Sequence, residues 1–323
     1  MEMSSLKKLS ELFEFHFKGR QFPEQPKQLY DAAQYLLTLG GKRIRPILCL
    51  MANELFSEIT TDSYHVANAI ELFHNFTLVH DDIMDKASLR RGMPTVHAKY
   101  NESTALLAGD VMLVTGYEHL NKIQSNFLPR VLGLFNKTAK EVCEGQQMDM
   151  EFEDREDVSF EEYETMITLK TSVALAASLE LGAILGGAGM HNQQHLYEFG
   201  KFLGIAFQVQ DDYLDAFGDP KKFGKVHGGD ILSNKKTFLL IHALSAANKD
   251  DKAALKKLLE SNDEDKIARV LAVYKACGVD EWASKLKQLY YEKAINHLDE
   301  VAVMEKRKVA LRELADYLMN RNE

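Results

Sequence analysis

The chain has little cysteine, little proline and a single tryptophan. Its three cysteines, Cys49, Cys143 and Cys277, are odd in number and far apart, so they suit neither a disulfide framework nor the close-spaced ligand pairs of a zinc site. Such usage fits a reducing compartment, and a cytoplasmic location is expected. The six prolines, at positions 23, 26, 46, 94, 129 and 220, never run together, which leaves long stretches free to be helical. No convincing apolar–polar alternation marks a strand. The opening residues, MEMSSLKKLSELFEF, lack the apolar run of a signal peptide. Val173 to Gly189 is the most apolar long segment, but Glu180 interrupts it and it is short for a bilayer, so no transmembrane segment is expected. A formal net charge of −9 argues against general nucleic-acid binding, which needs a basic footprint.

What is present points to a globular helical protein. With 323 residues, 46% hydrophobic and 27% charged, the chain can bury a large core. Apolar residues recur at helical spacing through Leu36 to Phe56, Val66 to Met84, Thr104 to Ile123, Phe160 to Leu185 and His195 to Phe217, and from Lys235 to the end. Glycine pairs at Gly40-Gly41, Gly186-Gly187 and Gly228-Gly229 mark breaks between helices. No linker separates these segments, so the expectation is one all-α domain over residues 1–323, a bundle of long helices. The lysine- and glutamate-rich stretch from Asn248 onward reads as amphipathic outer helices.

Two features carry chemistry. Positive charge gathers in short strings at Lys42-Arg43-Ile44-Arg45, Arg90-Arg91 and Lys235-Lys236. A five-residue acidic pattern also occurs twice, as Asp81-Asp82-Ile83-Met84-Asp85 and Asp211-Asp212-Tyr213-Leu214-Asp215, each near the end of an apolar helical segment. On a helix, Asp81 and Asp85 share one face, as do Asp211 and Asp215. Paired carboxylates at a helix C-terminus repel each other and oppose the macrodipole unless a cation binds. Magnesium suits them, because it takes oxygen ligands from a few carboxylates and completes its shell with water and substrate phosphate. One such cluster alone could be a solvated helix end; two copies with basic strings suggest a cleft that grips a diphosphate.

Gly40-Gly41-Lys42-Arg43-Ile44-Arg45-Pro46, then Asp81 to Asp85 with Arg90-Arg91-Gly92, then Gln208 with Asp211 to Asp215, then Lys225, Gly229-Asp230 and Lys235, stand in the order of the trans-isoprenyl diphosphate synthase motifs. The chain resembles that family. The resemblance implies an all-α isoprenoid synthase fold around a central cavity, a homodimer, and a magnesium-dependent head-to-tail condensation of isopentenyl diphosphate with an allylic diphosphate. It further implies that Asp81, Asp85 and Asp211, supported by Asp82, Asp212 and Asp215, hold about three magnesium ions. Arg90, Lys170, Lys225 and Lys235 would contact the allylic diphosphate. Lys42, Arg45, His74 and Arg91, with Arg43 beside them, would hold isopentenyl diphosphate. Once the allylic C–O bond ionises, Thr171 and Gln208 would stabilise the carbocation, and released diphosphate would take the final proton.

Chain length in this family depends on the residues below the first acidic motif. Phe76 stands five residues before Asp81, roughly 7.5 Å deeper along a helix axis, with Thr77 four before and Phe73 about one turn further down. That pattern resembles geranylgeranyl-type enzymes making a C20 product; C15 farnesyl diphosphate and C25–C40 products are the alternatives. His80, His97 and Tyr100 read as structural, and the acidic run from Asp149 to Asp157 as a solvated helix end. A class I terpene cyclase fits less well, since this chain has a second DDxxD and basic motifs for a second diphosphate. A non-catalytic regulatory subunit fits less well too, since all six aspartates are present.

Overall fold

The computed structural model describes residues 5–218, 228–261 and 263–320. Helices dominate it. In order they are α1 (Ser5–Phe17), α2 (Lys27–Thr38), α3 (Ile44–Glu54), α4 (Thr61–Met84), α5 (Val96–Lys99), α6 (Glu102–Leu120), α7 (Leu128–Glu153), α8 (Phe160–Ile167), α9 (Val173–Leu185) and α10 (Met190–Phe217). Further helices cover Gly229–Leu232, Phe238–Ala246, Lys249–Glu260, Lys266–Ala276, Val279–Asp299 and Glu305–Asn320. The chain divides into two compact units, one of Met1–Phe135, Ser178–Gln193 and Val303–Ala310, the other of Asn136–Ala177, Gln194–Ala302 and Leu311–Glu323.

In the first unit, α4 is the central element. Its start is fixed by a capping box in which Thr60 and Ser63 satisfy each other's exposed backbone amides. Val66, Ala67, Ala69, Ile70, Leu72 and Phe73 are buried along it. It packs on α3 and α6, with Gly116 of α6 facing the Ala69 backbone. Two glycines bring α9 against α3: a Cβ on Gly182 would fall 2.0 Å from the Cys49 carbonyl oxygen, and one on Gly186 would fall 2.9 Å from that of Asn53.

The second unit buries Ala216, Leu239, Leu240, Leu255, Leu258, Val270 and Tyr274 in one cluster, with Tyr213, Phe217 and Trp282 packed around it. This cluster holds the C-terminal end of α10. Within the helical stretch from Phe160 to Leu185, residues Thr168–Ser172 form one π-helical turn. That stretch is apolar and long enough to cross a membrane, but 67% of its apolar window is buried inside the protein, the pattern of a core helix.

The helical pattern from Leu36 to Phe56 is divided into α2 and α3 at the expected Gly40-Gly41 break, where Gly40, Gly41 and Arg43 all have positive φ. Two other local features depart from expectation. Helices α1 and α7 lie outside the predicted segments. A short antiparallel hairpin pairs Leu89 with Pro94 and Arg90 with Met93. Its two central residues, Arg91 and Gly92, have φ of 54° and 76°, as a type I′ turn demands.

Candidate active site

Helix α4 delivers the first acidic motif. It ends at Met84 with Asp85 as its C-cap, and the Asp85 amide donates to the Asp81 carbonyl at 2.8 Å, so the helical register holds through the motif. Asp82 turns inward and is 2% exposed. Its two oxygens accept from Arg90 Nε and Nη2, both at 2.8 Å. Burial works against the Arg90 charge, but this bidentate bond and the carboxylates of Asp81 and Asp85 outweigh it and raise the guanidinium pKa. Asp82 therefore anchors Arg90.

The hairpin carries Arg91 back onto the glycine-rich turn before α3. There Arg91 Nη1 donates to the Gly40 carbonyl, and a Cβ on Gly41 would stand 2.9 Å from the Arg91 guanidinium. Arg45 Nη1 donates to His74 Nε2 at 3.1 Å, a direction set by arginine having no acceptor. Arg45 Nε is buried with no partner. Burial and then the guanidiniums of Arg45, Arg91, Arg90 and Arg43 depress the His74 pKa well below the ordinary value. His74 is thus a neutral ring among cations. Burial lowers the Arg45 pKa to about 10.

Arg43 corrects the sequence reading. It is 8% exposed, pairs with the buried Glu71 carboxylate, reaches Glu14 at 3.2 Å and donates to the Leu37 carbonyl at 2.9 Å. Its fork ties α1, α2 and α4 together, so it serves as structure, and its charge reaches the site only as field. Lys42, two residues after Gly40, is exposed.

In the second unit, Gln208, Asp211, Asp212 and Asp215 follow one another down α10. Asp212 is 3% exposed, accepting from Gln208 Nε2 at 2.8 Å and from the Tyr163 hydroxyl at 3.1 Å. Burial first, then the Asp230 and Asp211 carboxylates, push its carboxyl up to about 8, while Gln208 and Lys235 pull the other way. Asp215 accepts from the Asp230 amide at 3.1 Å. A small cavity of about 10 Å³, room for about one water, is lined by Asp212, Asp215, Asp230 and Lys235 together with apolar side chains such as Ile231 and Leu240. Lys225 lies outside the described residues.

The π-helical turn presents Lys170 and Thr171. Two glycines make room for it: a Cβ on Gly145 of α7 would fall 2.3 Å from the Lys170 amide nitrogen, and one on Gly204 of α10 would fall 2.8 Å from Ser172. Such turns commonly mark functional sites, because they re-aim side chains that a regular helix would stack. Lys170 Nζ meets Asp149 at 2.5 Å. Within the acidic run from Asp149 to Asp157, Glu156 pairs with Lys256 at 2.9 Å and Asp157 with Arg155 at 3.0 Å.

Among the described residues, no three histidine, cysteine or acidic side chains converge to hold a metal unaided. The donor set on offer is oxygen only, from sparse carboxylates beside guanidiniums. That fits magnesium, whose shell would be completed by water and phosphate. A cavity of about 760 Å³ lined by Phe160, His242 and Trp282 touches neither motif.

The polyprenyl synthetase family profile matches residues 26–277, a span containing both acidic motifs and all the basic ones. The chain belongs to the polyprenyl synthetase family. It is 36% identical to a short chain isoprenyl diphosphate synthase of Methanothermobacter thermautotrophicus, over 99% of this chain and 98% of that protein. Identity to a geranylgeranyl diphosphate synthase of Methanosarcina mazei is 38%, over 92% of this chain and 91% of that one. A crystal structure of a geranylgeranyl pyrophosphate synthase superposes with a TM-score of 0.94 at 40% identity, covering 99% of this chain and 100% of the other.

As a polyprenyl synthetase, the chain is an enzyme of prenyl transfer with the all-α isoprenoid synthase fold. Below its first acidic motif, Phe73 is 6% exposed and packs on Phe76 and Phe135, with ring centroids 5.9 Å and 5.4 Å away. The Thr77 hydroxyl donates to the His74 carbonyl at 2.8 Å, satisfying itself within the helix. Sequence reading passed over Tyr163, Gly145 and Gly204, which act through contacts distant in sequence; Asp230 lay in a recognised motif but was given no role.

Proposed function

We propose that this synthetase condenses isopentenyl diphosphate head to tail with an allylic diphosphate, giving a trans product of C20 length, with C15 and C25–C40 products as alternatives. The observation that carries this reading is the cluster of cations around neutral His74, formed by Arg45, Arg90 and Arg91 in a chain of net charge −9. A dianionic headgroup would relieve that repulsion, and the unpartnered Arg45 Nε is a donor ready for it.

Lys42, Arg45, His74 and Arg91 would hold isopentenyl diphosphate, while Arg90, Lys170, Lys225 and Lys235 would hold the allylic diphosphate. Magnesium bound by Asp81, Asp85 and Asp211, about three ions in all, would neutralise charge on the departing diphosphate. Asp82, Asp212 and Asp215 would support these groups by fixing Arg90, Gln208 and the first turn of the Gly229–Leu232 helix at Asp230. Thr171 Oγ1 and the Gln208 carbonyl would orient dipoles toward the allylic cation in an apolar cavity. Attack by the isopentenyl double bond then forms the new C–C bond, and the proton lost passes to diphosphate, so no protein nucleophile is required. Phe76, with Thr77 above it and Phe73 below, would close the cavity floor. A cytosolic homodimer belongs to the same proposal; Leu106, Leu107 and Val114 on α6 are 50–57% exposed, apolar surface suited to pairing.

The test is incubation of the protein with isopentenyl diphosphate and each allylic primer, with and without magnesium, followed by chromatography of the dephosphorylated products. Magnesium-dependent elongation to C20 is expected. No elongation from any primer would overturn the reading in favour of a regulatory subunit, and a cyclic hydrocarbon in favour of a cyclase.

A further inference from the structure

We propose that His80 is a specificity-determining positioning residue: its imidazole fixes Phe76, and through Phe76 the length of the product. The inference rests on the reading of Phe76 as the cavity floor. His80 follows Phe76 by one helical turn on α4, and their rings meet edge to face with centroids 4.7 Å apart at 63°. The imidazole is itself held from α6. Its Nε2 lies 3.1 Å from the Leu106 carbonyl oxygen, which requires the tautomer with hydrogen on Nε2. Asp110 Oδ1 stands 3.8 Å from the same nitrogen.

Gly109 completes the clamp. A Cβ at that position would fall 2.4 Å from His80 Nε2 and 2.5 Å from Cδ2, so the ring occupies space that every other residue type would fill. The imidazole is therefore pinned between a hydrogen bond, a side-chain-free backbone and the Phe76 ring. Phe76 in turn has the Phe73 ring at 5.9 Å, itself buried against Phe135. The His80 ring is thus one of two aromatic contacts on Phe76, and the one outside the buried Phe73–Phe135 pair. His80 adjoins the acidic motif, yet its ring faces down α4 toward the floor and across to α6.

The assay is the product distribution of full-length variants with a fixed primer. His80→Ala and His80→Asn should raise the ratio of longer to wild-type product roughly fivefold, the population change commanded by freeing one aromatic rotamer. His80→Phe, which keeps a ring and loses the hydrogen bond, should stay near wild type. In a Phe76→Ala background, His80→Ala should add nothing. Should His80→Ala fail to fold, the Asn and Phe variants read out the same contrast. An unchanged distribution in His80→Asn, while Phe76→Ala lengthens the product, would overturn this inference alone, as would additive lengthening in the double variant. Failure of Phe76→Ala to lengthen the product would remove the floor and this inference with it, leaving the prenyl transfer reading intact.

Discussion

The Arg91 guanidinium occupies the space of a side chain at Gly41, with Nη2 2.9 Å and Nη1 3.0 Å from where a Cβ would be. Gly41 also has φ of +145°, a conformation L side chains rarely adopt. The glycine pair is therefore a seat for a cation as well as a helix break. Gly41→Ala should displace Arg91 and raise KM for isopentenyl diphosphate about tenfold, with a smaller change in kcat, in steady-state assays. An unaltered KM would show that Arg91 does not hold that substrate.

Asp82 and Arg90 act as a unit, joined by two bonds at 2.8 Å with the carboxylate buried. Removing either leaves the other without its bidentate partner. Asp82→Asn and Arg90→Gln should each lower kcat about 100-fold, and the double variant should lose little more than either single one. Additive losses in that double-mutant cycle would separate the two residues.

Tyr163 donates one of two side-chain bonds to Asp212 from a ring that is 1% exposed. Tyr163→Phe should cost about 1–2 kcal/mol in denaturant unfolding, the penalty for leaving a buried acceptor short of a donor. A negligible change would mean that water replaces the phenol.

His119 gives the fold a pH dependence. Burial, then Lys122 and His65, lower its pKa from 6.5 to about 4, and its Nδ1 lies 3.2 Å from that of His65. Above pH 6.5 both folded and unfolded chains leave it neutral. Below that value the unfolded chain takes up a proton that the folded chain refuses, so stability is full above about 6.5 and falls as the pH drops toward 4. The loss should reach roughly 2 kcal/mol, reduced by solvent at the ring edge. Thermal melts from pH 7.5 to 5 should show His119→Gln with the shallower slope; parallel slopes would assign the effect elsewhere.

Much of this protein is local and so was legible in its sequence. Helical periodicity located α4, α6 and α10 because one face of each must be buried, and the two aspartate motifs read as helix ends because their spacing fits a turn. The hairpin at Leu89–Pro94 escaped notice because two-residue strands leave no alternation to detect. Helix α7, 26 residues long, was missed although Leu128, Val131, Leu132 and Phe135 stand at helical spacing in its first half, because its second half is dominated by polar and acidic residues.

By itself, the sequence determined the fold class, the family and the list of candidate charges, since each depends on residue order over a turn or a motif. Only the tertiary structure decided what each charge faces. Arg43 and Arg45 are two residues apart, yet one is locked to Glu71 and the other meets His74. The π-helical turn at Lys170, its seat against Gly145, and the pinning of His80 over Gly109 are likewise tertiary facts. They arise where two backbones approach closely enough that one missing Cβ sets where a side chain more than 20 positions away must lie.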